Sequence, residues 1–158
     1  MTTTDNDAAP TAARSGLVGI QHAGLTVTDV DASAAWYERV LGLTRQFTEP
    51  HHQSDQDGYA IVLGTPDLSL NVGLDHHPAN TGEAFDPTRT GLDHLCLQVS
   101  SVEELHAWAD HLDAETVDHS GVYAMDGMPI SLLTFCDPDG IQLELIAFHS
   151  TVSTENAR

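Results

Sequence analysis

The stretch HAGLTVTDVDASAAWYERVLGL, from His22 to Leu43, decides the fold. Apolar and polar residues alternate up to Val27, which is typical of a β-strand with one buried face. Asp29 or Asp31 can then cap a helix that runs to Gly42, where a glycine favours the end of a helix. The pattern therefore predicts a β-strand followed directly by an amphipathic helix.

The same pattern returns 72 residues later as HLCLQVSSVEELHAWADHLDAE, from His94 to Glu115. Both copies begin with a histidine and carry a tryptophan in the helix, Trp36 and Trp108. The other matched pairs are Leu25 with Leu97, Val27 with Val99, Val30 with Val102 and Ala35 with Ala107. Agreement of histidine and tryptophan at one fixed spacing indicates an internal duplication.

Three further strand-like segments complete each copy. They lie at residues 43–47, 59–63 and 68–74 in the first copy, and at 116–118, 130–135 and 141–148 in the second. The order predicts an α+β fold of two βαβββ modules in a pseudo-twofold repeat.

We predict a single domain over residues 17–149. Its parts are modules at 17–77 and 91–149 and a polar linker at 78–90, with polar tails at 1–16 and 150–158 outside it.

The chain is strongly acidic, with 24 Asp and Glu residues against 5 arginines and no lysine, and a formal net charge of -19. Such a chain repels the phosphates of nucleic acids and anionic lipid surfaces. The absence of lysine excludes Schiff-base chemistry and a P-loop. The two cysteines lie far apart, and the N-terminal stretch has no apolar segment typical of a leader. No apolar run is long enough to span a membrane. We therefore predict a cytoplasmic protein outside the membrane, with a small molecule as its partner.

Three polar side chains are predicted on the same side of their strands. Alternation places the leucines of each strand against the helix, and leaves His22, His94 and Glu144 on the opposite face. A lone inward histidine is more often a hydrogen-bonded core residue, but two repeat-equivalent histidines with a carboxylate favour a divalent metal site with positions open for substrate. These residue types do not distinguish Fe, Mn, Ni and Zn.

The first strand-helix segment and the ending DPDGIQLELIAF, from Asp137 to Phe148, resemble the vicinal oxygen chelate superfamily of glyoxalases, bleomycin resistance proteins and extradiol dioxygenases. The resemblance covers residues 17–148. It implies a cup-shaped mixed sheet in which His22, His94 and Glu144 hold a metal that binds two neighbouring substrate oxygens. It also implies a homodimer, because members of the superfamily often complete the cup by pairing chains.

The resemblance leaves the reaction open. In glyoxalase I a fourth metal ligand comes from the last strand of the first module. Asn71 stands at the matching position in this chain if Gly140 is counted as one extra residue in the second copy. Thr134 stands where extradiol dioxygenases carry a tyrosine, and the lysine of fosfomycin-resistance transferases is absent. We therefore expect a glyoxalase-like lyase or isomerase. The alternatives are an extradiol-type dioxygenase and a binding protein that confers resistance without catalysis.

A few other polar residues are candidates for the site. His76 and His77 could act as acid or base at the rim of the cup, or lie in a solvated loop. Cys96 could support the metal ligands, although a small buried hydrophobic residue is the simpler interpretation. Arg89 could bind a substrate carboxylate or form a salt bridge.

Overall fold

The computed structural model describes residues 19–50 and 58–149 of the chain. The polar tails predicted at 1–16 and 150–158 lie outside the described residues. Between His76 and His94, where the linker is predicted, the backbone forms neither helix nor strand. Within the described ranges, no helix is long and apolar enough to cross a membrane.

The elements follow the predicted order twice. The first module consists of β1 (Ala23–Thr26), α1 (Val30–Leu41), β2 (Thr44–Pro50), β3 (Tyr59–Gly64) and β4 (Asn71–His76). The second module consists of β5 (His94–Gln98), α2 (Val102–Ala114), β6 (Tyr123–Ala124), β7 (Ile130–Cys136) and β8 (Gln142–Phe148). The prediction of two βαβββ modules is therefore confirmed.

Each module folds into one four-stranded mixed sheet. The strand order is β1-β4-β3-β2 in the first sheet and β5-β8-β7-β6 in the second. In both sheets the first and last strands of the module pair in parallel, and the other pairs are antiparallel. Because the order and the directions are the same, the two sheets confirm the duplication inferred from the sequence.

Polar caps begin both helices, and the cap of α1 lies where the sequence predicts it. The Asp29 side chain accepts a hydrogen bond from the backbone N–H of Ala32 at 3.0 Å, and Ser101 accepts one from Glu104 at 3.2 Å. Gly42 ends α1 with a φ of 66°, in the left-handed region that glycine adopts without strain. Of the two candidate caps of α1, Asp29 is therefore the one that is used.

The strand predicted at 116–118 is wrong. These residues end α2 instead, because the backbone N–H groups of Thr116 and Val117 donate back to the carbonyls of Asp113 and Leu112 at 3.1 and 2.9 Å. This pair of bonds is a Schellman motif, whose turning residue has a positive φ. Thr116 occupies that position with a φ of 59°. The β-branched residues suggested a strand, but the helix end determines the local backbone.

Thr116→Gly is expected to stabilise the protein by about 1 kcal/mol, because glycine adopts a positive φ without the clash that a β-carbon causes. Thr116→Ala is the control, since it keeps the β-carbon and should change the free energy of unfolding far less. Denaturant unfolding of the three proteins measures both differences. A glycine variant no more stable than the parent would contradict this account of the turn.

The two modules share one continuous hydrophobic core. From α1, the ring of Trp36 lies 6.4 Å from that of Phe135 in β7. The buried hydroxyl of Tyr37 donates to the Asp137 carboxylate at 3.0 Å. Just before the same helix, the backbone N–H of Thr28 donates to Asp139 at 3.0 Å. The first helix is thus tied to the turn between β7 and β8, which fixes the two sheets relative to each other.

Candidate metal centre

The second sheet places His94 and Glu144 on the same open face. Leu143 and Leu145 of β8 are buried against the helix layer, so Glu144 between them points to the other side. In β5, His94 and Cys96 are exposed, and Cys96 pairs directly with Glu144 across the parallel ladder. His94 lies two residues before Cys96 on the same face of β5. Its side chain is therefore a diagonal neighbour of the Glu144 carboxylate.

His22 belongs to the first sheet. It immediately precedes β1, where Leu25 is buried and Gly24 and Thr26 are exposed, so the alternation places His22 on the open face. His22 and Cys96 both line a cavity of about 220 Å³ at the junction of the two sheets. Over the described ranges 19–50 and 58–149, however, no three His, Cys, Asp or Glu side chains come close enough to hold one metal ion.

Both histidines are oriented by the residue that precedes them. His94 Nδ1 lies 2.6 Å from Asp93 Oδ1, and His22 Nδ1 makes a hydrogen bond to Gln21 Oε1. A carboxylate or amide oxygen can only accept, so Nδ1 of each neutral ring carries the proton and Nε2 keeps its lone pair. Metal-binding histidines are held in the same way, which means that these rings fit the role of ligands.

Sequence reasoning missed Gln21 and Asp93. They were detectable, because the two residues are repeat-equivalent and each places a side-chain oxygen next to a candidate ligand. Only the structure, however, shows that both oxygens turn toward Nδ1.

Cys96 contacts Glu144 rather than filling the core. Partial desolvation of the sulfur atom raises the pKa of the Cys96 thiol to about 12, although the residue as a whole is exposed, and the neighbouring Glu144 carboxylate contributes further. The thiol therefore stays protonated beside the carboxylate. The prediction of a small buried hydrophobic residue is wrong, since Cys96 is exposed on the open face. Alternation predicts the face of the strand on which Cys96 lies, but only the strand register shows that Glu144 is its neighbour.

In the metal-free protein at pH 8, iodoacetamide should alkylate Cys96 about thirtyfold to a hundredfold more slowly than an ordinary exposed thiol. The small thiolate fraction outweighs the higher nucleophilicity of a high-pKa thiolate. Cys136, which is also exposed, is the internal reference in the same sample. Peptide mass spectrometry over time follows both sites, and equal rates would contradict the contact with Glu144.

Asn71 is not the counterpart of Glu144. Gly24 pairs with Gly73 in the first sheet as Cys96 pairs with Glu144 in the second, so Gly73 occupies the position equivalent to Glu144. The prediction assumed one extra residue in the turn before β8, whereas that turn is one residue shorter than the turn before β4. The position equivalent to Glu144, the candidate carboxylate ligand, therefore has no side chain in the first module.

The Asn71 side chain has a structural role. It is buried, and its Nδ2 donates to the backbone carbonyls of Gln21 at 3.2 Å and Leu68 at 2.8 Å. Its oxygen lies against Gly64, where an added β-carbon would come within 2.4 Å. Asn71 thus fixes the residue before His22 and closes the turn before β4.

His76 lies away from the open face. As the last residue of β4, it lies on the same face of the strand as Val72 and Leu74, which are buried against the helix layer. Its ring is 5.2 Å from that of Tyr59 on the neighbouring strand. His77 follows the strand, and its carbonyl accepts a hydrogen bond from the backbone of Asn80 at 2.8 Å.

Two βαβββ modules of identical strand order define a protein of the vicinal oxygen chelate fold. The chain belongs to the Glyoxalase/Bleomycin resistance protein/Dioxygenase superfamily, whose profile matches residues 19–145.

Among known proteins, the chain is 26% identical over 129 residues to "Putative ring-cleaving dioxygenase MhqA" of Bacillus subtilis. The match covers 82% of this chain and 40% of MhqA, so the chain spans about two fifths of the length of that relative. A glyoxylase/bleomycin resistance protein/dioxygenase domain from Frankia sp. EAN1pec is 27% identical with a TM-score of 0.72, covering 84% of this chain and 99% of that domain.

The fosfomycin resistance protein FosX of Listeria monocytogenes, solved with Mn(II) and sulfate, shares the fold. Its TM-score is 0.57 at 15% identity, covering 83% of this chain and 93% of FosX.

Proposed function

We propose that the protein is a metal-dependent enzyme acting on a small molecule with two adjacent oxygens, and that His22, His94 and Glu144 hold the metal. The observation that carries this proposal is the pair of repeat-equivalent histidines, each with Nδ1 hydrogen-bonded and Nε2 left to bind. Glu144 adds the negative charge that a divalent ion needs, and among the described residues it has no ion-pair partner. The protonated thiol of Cys96 lies beside it on the neighbouring strand.

We further propose that the site is completed in a homodimer. His22 stands on the first sheet, and His94 and Glu144 stand on the second. The part of the chain described by the structure does not bring the three together. Pairing the first sheet of one chain with the second sheet of its partner would unite them, and twofold symmetry would produce two such sites.

Three protein ligands leave room for a substrate that binds through both oxygens. A divalent metal in this site would supply Lewis acidity toward those oxygens. The protein supplies the geometry: Asp93 and Gln21 hold the imidazoles, and Cys96 stands beside the carboxylate on the neighbouring strand. Because Thr134 directly faces Glu144 and carries no acidic phenol, we favour lyase or isomerase chemistry. The likeness to MhqA supports a second candidate, ring cleavage by an extradiol-type dioxygenase.

Turnover with and without air separates the two candidates. Protein treated with chelator should be inactive on hydroxyketone and catechol substrates, and one of Fe, Mn, Ni or Zn should restore activity. A lyase or isomerase works equally well without oxygen, whereas a dioxygenase stops and consumes oxygen in air. We expect activity to persist without oxygen. Release of every bound substrate unchanged, with and without metal, would contradict both candidates and favour a binding protein.

Gly73→Glu should place a fourth ligand beside His22. An added β-carbon at Gly73 meets no atom closer than 3.8 Å, so the backbone accommodates the change. The fourth ligand should tighten metal binding by about tenfold or more, because it adds a second carboxylate to the proposed set. Gly73→Gln is the neutral control. Metal titration measures the effect, and unchanged metal affinity in the Glu variant would contradict the proposed geometry.

A further inference from the structure

The segment that follows each helix pairs differently in the two modules. In the first module, Thr44 pairs with Gly64, and β2 runs beside β3 from there onward. The residue 72 positions after Thr44 is Thr116, at the end of α2. Within the described ranges, this second segment first meets β7 at a bridge between His119 and Phe135. Over these residues, the end of β7 therefore lacks the paired neighbour that the end of β3 has.

A cavity of about 670 Å³, which we call the Trp36 cavity, lies at this end of β7. Trp36 of α1 is partly buried, and its ring lies 6.4 Å from the ring of Phe135. Residues 116–120 line another side, and Gln142 lies where the cavity meets the open face of the second sheet. Cavities of about 300 to 1,000 Å³ that combine apolar walls with a few polar groups bind small molecules.

Hydrogen bonds fix the wall that residues 116–120 form. His119 Nδ1 accepts the backbone N–H of Gly121 at 3.0 Å, so Nε2 carries the proton and donates to Asp113 at 3.3 Å. The Ser120 hydroxyl accepts the backbone N–H of Thr134 at 3.0 Å. The wall is thus in place before a ligand arrives, which lowers the entropy that binding costs.

Thr116, on the same wall, has a strained backbone. Its φ of 59° lies in the left-handed region, which a β-branched residue rarely adopts. Strained positions are concentrated at active sites and ligand-binding sites. Glycine would relieve the strain, so the chain keeps on the wall of the cavity a threonine that lowers its stability.

The aromatic and acidic groups of the cavity indicate the chemistry of a ligand. Tryptophan is the aromatic side chain that attracts cations most strongly, and Trp36 lines the cavity. Asp118, an exposed residue of the wall, adds a carboxylate. The formal net charge of -19 also favours cations near the surface.

We infer that the Trp36 cavity binds a small aromatic molecule that carries a protonated amine, with its ring against Trp36 and its amine beside Asp118. This is a second binding site, between α1 and the end of β7. The candidate metal ligands His22, His94 and Glu144 do not line it. The inference therefore does not rest on the proposed metal-dependent function, and metal-free protein is sufficient to test it.

Three probes with the same phenyl ring test the site and the charge of its ligand. 2-Phenylethylamine is a cation, 2-phenylethanol is neutral and phenylacetate is an anion. The protein has two tryptophans, and Trp108 lies in α2 outside the cavity. The indole N–H signals of nitrogen-15-labelled protein, assigned with a Trp108→Phe variant, report the two rings separately. Phenylethylamine should shift the signal of Trp36 and leave that of Trp108 in place.

Titration followed on the Trp36 signal gives a dissociation constant for each probe. Phenylethylamine should bind about fivefold more tightly than phenylethanol, and phenylacetate most weakly, because a cation gains from both the ring and the carboxylate. Asp118→Asn should bring the amine and the alcohol within about twofold of each other. Asp110→Asn removes the same charge from an exposed position of α2 outside the cavity, and should leave their ratio unchanged.

Thr116→Gly separates a binding role of this wall from a purely structural one. The variant should bind phenylethylamine about threefold more weakly, because the wall loses a side chain and becomes more flexible, even though the protein becomes more stable. A purely structural role predicts unchanged affinity.

The outcomes are distinct from those that test the metal site. A Trp36 signal that no probe moves, or signals of Trp36 and Trp108 that move alike, would overturn the binding site. Equal affinities for the amine and the alcohol, or a ratio that Asp118→Asn and Asp110→Asn change equally, would overturn the cationic ligand. Unchanged affinity in the Thr116→Gly protein would overturn the part assigned to Thr116.

Discussion

Glu144→Gln is expected to lower metal affinity by more than about a hundredfold, so that the purified variant holds no stoichiometric metal. Glutamine keeps the size of the side chain and an oxygen that can accept from the Cys96 thiol, but it removes the single anionic ligand of the proposed site. A divalent ion then has two neutral imidazoles, which bind it far more weakly than a set that includes a carboxylate. Metal analysis after dialysis measures the difference.

Glu103→Gln is the matched control. Glu103 lies in the first turn of α2 and is exposed, so the substitution removes the same charge from the protein without touching the open faces. Metal binding should be unchanged in this variant. Full occupancy in the Glu144→Gln protein would contradict the assignment of that ligand.

The residues that orient the histidines should have smaller effects in the same assay. Asp93→Ala and Gln21→Ala each remove the oxygen that holds Nδ1 protonated, and should weaken metal binding by about tenfold to a hundredfold. Asp93→Asn retains an acceptor and should recover most of the affinity. An Asp93→Asn protein that binds metal as weakly as Asp93→Ala would imply that the charge of Asp93, and not its hydrogen bond, supports the site.

Asp137→Ala is expected to destabilise the fold by about 3 to 5 kcal/mol. The buried carboxylate accepts the Tyr37 hydroxyl at 3.0 Å and the backbone N–H groups of Asp139 and Ile141 at 2.9 and 2.8 Å. Alanine leaves these three donors without their acceptor in the core between the modules, and each buried unpaired donor costs about 1 to 3 kcal/mol. Denaturant unfolding measures the loss.

Two neighbouring substitutions calibrate that result. Asp139→Ala should cost about 1 kcal/mol, because Asp139 is less buried and its bonds to Thr28 and Ser33 are 3.0 and 3.3 Å. Tyr37→Phe removes one donor and leaves Asp137 bound to two backbone groups, so it should cost about 1 to 2 kcal/mol. An Asp137→Ala protein no less stable than the Asp139→Ala protein would contradict the role of this network in joining the modules.

The same network predicts a loss of stability in alkali. Burial, followed by the charge of Asp137, raises the pKa of Tyr37 well above its usual value of about 10. Above about pH 10 the unfolded chain releases this proton while the folded chain keeps it, so the free energy of unfolding falls as the pH rises. The expected slope is about 1.4 kcal/mol per pH unit from this group. Between pH 10 and 11 the unfolded tyrosine is still titrating, so Tyr37→Phe should reduce the loss over that interval by about 1 kcal/mol. An unchanged curve would contradict the shift.

The fold could be predicted because its signals are local. Alternation identified the strand before each helix, and Asp29 marked the start of α1 by side-chain chemistry that acts over three residues. The duplicated histidines were visible for the same reason. A strand was wrongly predicted at 116–118 because Thr116, with its positive φ, occupies a helix end where glycine is the usual signal.

The site was harder to predict because its geometry depends on register. The match of Asn71 with Glu144 failed because a turn one residue shorter changes which residues face each other across two strands. The contacts of Gln21 and Asp93 depend on side-chain rotamers that no periodicity reports. Nor does a local pattern say whether His22 meets His94 of its own chain or of a partner.

A heterodimer of two defective chains tests the shared site most directly. His22→Ala and Glu144→Gln chains with different affinity tags are refolded together, and the mixed dimer is purified through both tags. In that dimer one site has lost both ligands, while the other combines the intact His22 of one chain with the intact His94 and Glu144 of the other. The account predicts about one metal ion per heterodimer and none in either parent dimer. If the unsubstituted protein binds metal and the heterodimer does not, the site is not built across two chains.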